Sequence, residues 1–263
     1  MLNDNQYSSS KKYEARIYLN KQFKTNPQSK FEWVFDYFPK EEHLTVLELG
    51  CGTGLFWLAN RNHIPRSWTI TLSDYSQGML EATRNTLSRI NNMFQYEIVN
   101  AEDIQYPDNQ FDLILANNML YHVQDKDAAI RNICRILKDD GVFITSTMGK
   151  NDLRELHHHL YAYLGSKGKH FQFREYSFSL DNGMEQLTNH FNDVRLERYE
   201  NTLVINEADA IVDYYLSFNE IYDDVVVLPE ADTDEFKVYL QTILDEEKAI
   251  TTIKDEGLFI CKK

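Results

Sequence analysis

Glu48-Leu49-Gly50-Cys51-Gly52-Thr53-Gly54 sets three glycines at alternate positions behind an acid. Glycine lets a chain turn sharply and lets backbone approach a ligand with no Cβ in the way. The dinucleotide fingerprint is GxGxxG, with its third glycine one position later; here that place is Leu55. No Gly-Lys-Ser/Thr follows, so the loop is not a phosphate-cradling P-loop. Glu48 instead offers a carboxylate, suited to holding a ligand ammonium directly or through water. Four further places carry groups that could do chemistry: Asp74, Asn100-Ala101-Glu102, Asn117, and Tyr121-His122.

The elements that position them follow from pattern. Residues 45–49, 69–73, 96–99, 111–116 and 142–147 are short apolar runs that read as strands. Between them, Met79, Leu80, Thr83, Leu87 and Ile90 fall at helical spacing behind a Ser76 cap, and Ile130, Ile133, Cys134 and Leu137 do so behind Asp125. Gly141 stands where a helix C-terminal glycine is wanted. A helix over 55–60 follows the glycine loop. Strands alternating with helices imply right-handed crossovers and a mostly parallel sheet, in which ligands bind beyond the carboxyl ends of the strands. Each residue singled out above lies at such an end.

On these residues the chain resembles the class I S-adenosylmethionine-dependent methyltransferases, whose first motif, (Asp/Glu)-x-Gly-x-Gly-x-Gly, is present unbroken. The resemblance covers roughly residues 40–150. Tyr106–Asp112 and Asn117–Val123 are similar to segments of the small-molecule branch (methyltransferase type 11-like). Asn117-Asn118-Met119-Leu120 lacks the two prolines of base- and glutamine-modifying relatives. The resemblance implies a Rossmann-like, mostly parallel seven-stranded sheet with helices on both faces. It also implies S-adenosylmethionine as cofactor, leaving as S-adenosylhomocysteine. Asp74 would accept both ribose hydroxyls, and Asn100, Ala101 and Glu102 would meet the adenine edge. Asn117 would lie beside the methionine part, with Glu48, Gly50, Cys51, Gly52, Gly54, Tyr75 and Met79 completing the cofactor set. His122 and Tyr121 fall beside the transferred methyl, His122 as a candidate general base. Arg16 and Tyr13 could close over the cofactor carboxylate.

The outer parts are less patterned. Residues 1–40 suggest an N-terminal helical lid and 41–205 the core. Residues 206–256 suggest an acidic helical insertion serving as a substrate lid, and 257–263 a final core strand. Helices are expected over 151–164, 183–191, 207–218 and 232–249, and a strand over 194–205. The net charge is −14, concentrated in 206–256, where 15 acids face 3 bases. Without clustered Lys and Arg, nucleic acid and anionic membranes are poor partners. A small-molecule acceptor, cationic if the acidic segment steers it, fits better. Three scattered cysteines and no long apolar run give the expectation of a soluble cytoplasmic protein without disulfides or metal. His157-His158-His159, adjacent on a helix, cannot converge on one ion and are expected on a solvated face. Three other functions stay open: a non-catalytic S-adenosylmethionine-binding regulator, an aminopropyl transferase on the same fold, and a nicotinamide oxidoreductase, against which the glycine spacing argues. Oligomeric state and acceptor identity are not written in the sequence.

Overall fold

The computed structural model describes residues 10–90, 94–173, 175–219 and 226–263. The start of the expected N-terminal lid and residues 220–225 of the acidic segment lie outside them, as does the side chain of Tyr13. By its contacts the chain divides into two compact units. The larger comprises Gln28–Lys150, Tyr176–Tyr199 and Glu256–Lys263, and the smaller Met1–Pro27, Asn151–Glu175 and Glu200–Asp255. The divisions therefore differ from the sequence boundaries at 40, 205 and 256. Residues 28–40 pack with the sheet, and 151–175 pack with the acidic helices.

Helix α1 spans Ser10–Gln22, α2 Lys30–Asp36, α3 Leu55–Ala59, α4 Gln77–Leu87, α5 Lys126–Ile136, α6 Arg154–Ser166, α7 Gly183–Thr188, α8 Ala208–Leu216 and α9 Thr233–Glu247. Strand β1 spans Thr45–Leu49, β2 Thr69–Asp74, β3 Phe94–Ile98, β4 Phe111–Asn117, β5 Leu137–Met148, β6 Asp193–Ile205 and β7 Ile250–Lys262. Among the described residues these strands form one sheet, ordered β3-β2-β1-β4-β5-β7-β6. The pairings β3-β2, β2-β1, β1-β4 and β4-β5 are parallel, and β7 runs antiparallel to β5.

In the larger unit the alternation of strand side chains sorts the core into two layers. Val46, Leu72, Leu113, Leu115 and Ile144 pack with Phe35 of α2, Trp57 of α3 and Leu80 of α4. Leu47, Leu49, Ile114, Ala116 and Phe143 pack with Ile130 and Ile133 of α5 and Leu187 of α7. Burial on both faces is why β1 and β4 read as continuous apolar runs. Ser76 and Asp125 cap α4 and α5, accepting from the backbone N–H of Met79 and Ala128. Gly141 does not end α5. That helix stops at Ile136 and β5 begins at once, so Gly141 lies within the strand, where an added Cβ would meet Leu137 at 2.9 Å.

The smaller unit gathers α1, α6, α8 and α9 around Leu19, Leu156, Leu160, Ile211, Tyr215, Phe236 and Leu240. The histidine run sits here, and the solvated-face expectation fails for its first member. His157 Nδ1 lies 3.0 Å from the hydroxyl of the fully buried Tyr215, and its ring packs against Phe173. Burial, aided by the charge of Lys254, pushes the His157 pKa down to about 4. His158 alone is exposed.

Candidate cofactor and methyl-transfer site

The glycine loop leaves β1 at Leu49 and enters α3 at Leu55. Gly50, Gly52 and Gly54 all have left-handed φ, +70°, +55° and +74°, a region that costs other residues roughly 1–2 kcal/mol. Their surroundings differ. A Cβ on Gly50 would strike Met119 at 2.8 Å, and one on Gly54 would strike Thr83 at 2.9 Å. A Cβ on Gly52 would meet nothing within 4 Å, so the Cα face of the loop opens to space there. Gly52→Ala should therefore cost only about 1 kcal/mol of stability but set a methyl on the face a ligand must approach. Gly54→Ala should melt earlier than Gly52→Ala, because it adds a clash to the strain. Thermal melts and cofactor titration of the two variants check this inverse ranking of stability loss and affinity loss.

Asp74, at the carboxyl end of β2, is joined to the loop. Its Oδ2 accepts from Gly52 N–H at 3.0 Å, and its Oδ1 accepts from Ser76 N–H at 2.9 Å. Burial raises the Asp74 pKa above its ordinary value, and the backbone N–H groups of Ser76, Gly52 and Tyr75 oppose the rise. The carboxylate keeps acceptor capacity beyond these backbone bonds, which is what a pair of vicinal hydroxyls requires. The loop is further held by Thr83 of α4, whose hydroxyl donates to Gly52 O at 2.6 Å and lies 3.6 Å from Cys51 Sγ. Cys51 is itself buried, and burial drives its thiol pKa strongly upward. This cysteine packs and does not react.

Glu48 is 1% exposed. It projects to the α3 side of the sheet, where Trp57 Nε1–H donates to Oε2 at 2.6 Å; Asn117 Nδ2 lies 3.5 Å from Oε1. Burial raises its pKa to about 8, with the Trp57 and Asn117 bonds pulling the other way. From Asn117 a polar chain continues through neighbouring strand ends. Ser146 Oγ donates to Asn117 Oδ1 at 3.0 Å, and Asn118, at φ +50°, donates its N–H to Ser146 O at 3.0 Å. Lys30 Nζ of α2 lies 3.4 Å from Asn118 Oδ1 and 3.0 Å from Glu256.

Other expected residues are placed as follows. Tyr75 is largely exposed and Met79 half-buried, just past Asp74. Asn100 is exposed, its Oδ1 accepting from Glu102 N–H at 3.0 Å, while Ala101 is buried. Glu102 turns elsewhere: its Oε1 accepts from the backbone of Gln124 at 2.8 Å and Asp125 at 3.2 Å. That carboxylate secures the turn before α5. Tyr121 and His122 lie on a 3-10 turn, Leu120–His122, with ring centroids 4.4 Å apart. The ring of Tyr176 packs on Tyr121 at 5.0 Å. His122 is exposed as a residue, yet protein atoms crowding its ring lower its pKa, so the imidazole is neutral at neutral pH. Arg16 is not part of this unit; its guanidinium lies 5.7 Å over the Phe218 ring. Among the described residues no three His, Cys, Asp or Glu side chains gather as a metal site requires.

Trp57, Thr83, Ser146, Asn118 and Lys30 were not singled out as site residues by the sequence. Only Trp57 had a signal, an indole on the helix directly after the glycine loop.

A parallel sheet with an antiparallel strand beside β5, a GxGxG loop after β1 and a carboxylate after β2 make the Rossmann-like fold of the class I methyltransferases. Comparison with known proteins gives the same answer. Residues 47–145 match the family model described as "Methyltransferase domain". The ubiquinone/menaquinone biosynthesis C-methyltransferase UbiE of Hydrogenovibrio crunogenus is 34% identical over 108 residues, covering 40% of this chain and 42% of that protein. The chain thus spans less than half of the curated relatives it matches. Among solved structures, the YcgJ protein of Bacillus subtilis aligns with a TM-score of 0.57 at 18% identity, over 89% of this chain and 97% of that one. The [4+2]-cyclase SpnF aligns at 0.54 and 17%, over 97% of each. These two likenesses concern the fold alone.

Proposed function

We propose that this protein transfers a methyl group from S-adenosylmethionine to a small-molecule acceptor. The observation that carries the reading is the open face of Gly52, with Asp74 bonded to that residue's own N–H and Glu48 buried at the strand end behind it. The arrangement suits a ligand with a ribose at one end and an ammonium at the other. When bound, the cofactor supplies a sulfonium-borne methyl. The residues then need only orient it and keep water out. Asp74 holds the ribose, Tyr75 and Met79 flank the base, and Gly50 and Gly52 give backbone access. The neutral imidazole of His122 can take a proton from an acceptor hydroxyl or ammonium.

Lys30, rather than Arg16, is the cation on the methionine side, since it already reaches Asn118 beside Asn117. One charge-assisted bond to a carboxylate is worth about 1.5 kcal/mol or more. Lys30→Met should accordingly raise KM for S-adenosylmethionine about tenfold with a smaller change in kcat. A comparable fall in kcat with unchanged KM would refute that role.

The acceptor reading draws on two facts. The family match and the C-methyltransferase relatives favour small molecules, and the acidic 206–256 segment favours a cation. Quinone precursors and amines are therefore the two sets to test with methyl-labelled cofactor, alongside the cofactor alone. Transfer of label to an acceptor supports the reading. Cofactor binding without transfer would instead favour a non-catalytic or differently catalytic protein, and one neighbour on this fold is named as a cyclase. Among the described residues no helix is long and apolar enough to cross a membrane, and a cytoplasmic location is proposed with the function.

A further inference from the structure

A second concavity lies at the other end of the sheet. There α2 and the segment 60–68 after α3 flank a cleft of about 450 Å³, within the size range of small-molecule sites. These residues adjoin the amino ends of β1 and β2, whereas the glycine loop and Asp74 lie at the carboxyl ends. The cleft is thus separate from the methyl-transfer site, and nothing in that site's chemistry requires it.

Its lining is specific. Phe35 and Trp68 form an aromatic wall with centroids 6.1 Å apart. Asp36 sits on the exposed rim, its Oδ2 accepting from Gln28 at 2.7 Å. Asn60 is 1% exposed and lines the same cleft. Its Nδ2 donates to Phe56 O at 2.9 Å and Phe31 O at 3.1 Å, which fixes the amide orientation. Its Oδ1 is then left buried with no partner, and a buried acceptor in that state calls for a donor. The protein already sets a cation at this wall: Lys40 Nζ lies 5.8 Å over the Phe35 ring. A ring face, a rim carboxylate and an unmet acceptor share one complement, a cation bearing N–H donors on an apolar body.

We propose that this cleft binds a small aromatic amine or amidine in its cationic form, which displaces Lys40 from the Phe35 ring and donates N–H toward Asn60. The proposal does not depend on methyl transfer, and it is tested on the full chain saturated with S-adenosylhomocysteine. The probe is benzamidine, followed by calorimetry and by Trp68 chemical shifts, with benzoate as the isosteric anion. Saturable benzamidine binding with a Kd of about 1 mM is expected, as suits a fragment of that size. Asp36→Asn should weaken it about fivefold, and Lys40→Ala should tighten it about threefold by removing the internal competitor. Both changes are at exposed positions, so folding is not at issue. Opposite effects of the two substitutions are not what a generic structural role produces. Absence of saturation, equal binding of benzoate, or affinity unchanged in both variants would overturn the proposal. Competition between benzamidine and S-adenosylhomocysteine would also overturn it, because the probe would then be in the cofactor site.

Discussion

Asp74→Ala is expected to lower affinity for S-adenosylhomocysteine by about two orders of magnitude, a change that calorimetry on wild type and variant would read. Two ribose hydroxyls donating to one carboxylate form two charge-assisted bonds, each worth about 1.5 kcal/mol or more. Their loss amounts to about 3 kcal/mol, or roughly 150-fold. A second loss adds to the first. Asp74 accepts from the N–H groups of Gly52 and Ser76, so alanine also releases the loop that must lie flat against the ligand. The variant should melt a few degrees earlier than wild type. It should also lose the ligand-induced rise in melting temperature that mass action gives the wild type at ligand concentrations well above Kd. The product, rather than the methyl donor, is the right probe, because it keeps the ribose and removes turnover from the measurement. Binding within tenfold of wild type would detach Asp74 from the ribose and leave it as a clamp on the loop.

How far the sequence carried the site depended on whether the groups involved were local. Gly50, Gly52 and Asp74 were legible because a motif and a strand end fix them: once β1 and β2 pair in parallel, Cys51 N–H bonds Ser73 O at 2.8 Å, and Asp74 has nowhere to sit but beside the loop. Lys30 was not legible. It reaches the ends of β4 and β5 from a helix before β1, and nothing within the run around Lys30 announces a partner 88 residues away. Glu102 shows the converse limit of a local reading. Its position matched a motif, yet two N–H groups at the start of α5 claim its carboxylate, a competition only tertiary structure decides. The same holds for His157, expected on a wet face and found beside Tyr215, because amphipathic spacing locates a buried face only when its neighbours are known. Gly141 yielded to the sheet: pairing of Phe111 with Leu137 draws the chain straight from α5 into β5, leaving no room for a capping turn.

Stability should fall as pH rises from about 5 to 9, and Glu48→Gln should remove most of that fall. The folded Glu48 pKa of about 8 stands above its ordinary value of 4.5. Between those values the folded chain holds a proton that the unfolded chain has released, so stability declines as pH increases and levels off once both states are ionised. At one pKa unit per 1.4 kcal/mol the decline is of the order of a few kcal/mol. Glutamine keeps an acceptor for Trp57 and cannot ionise, so its denaturant midpoint should be nearly flat over the same window. An equally sloped variant would place the dependence on other groups. Ligand binding supplies the complementary test. An ammonium settling near Glu48 favours the carboxylate, so binding S-adenosylhomocysteine at pH 7 should expel a proton from the wild type that the Gln variant does not release. Calorimetry in two buffers of different ionisation enthalpy counts that proton. Equal proton release in both proteins would mean that Glu48 stays protonated and serves Trp57 and the loop alone, with the ammonium held elsewhere.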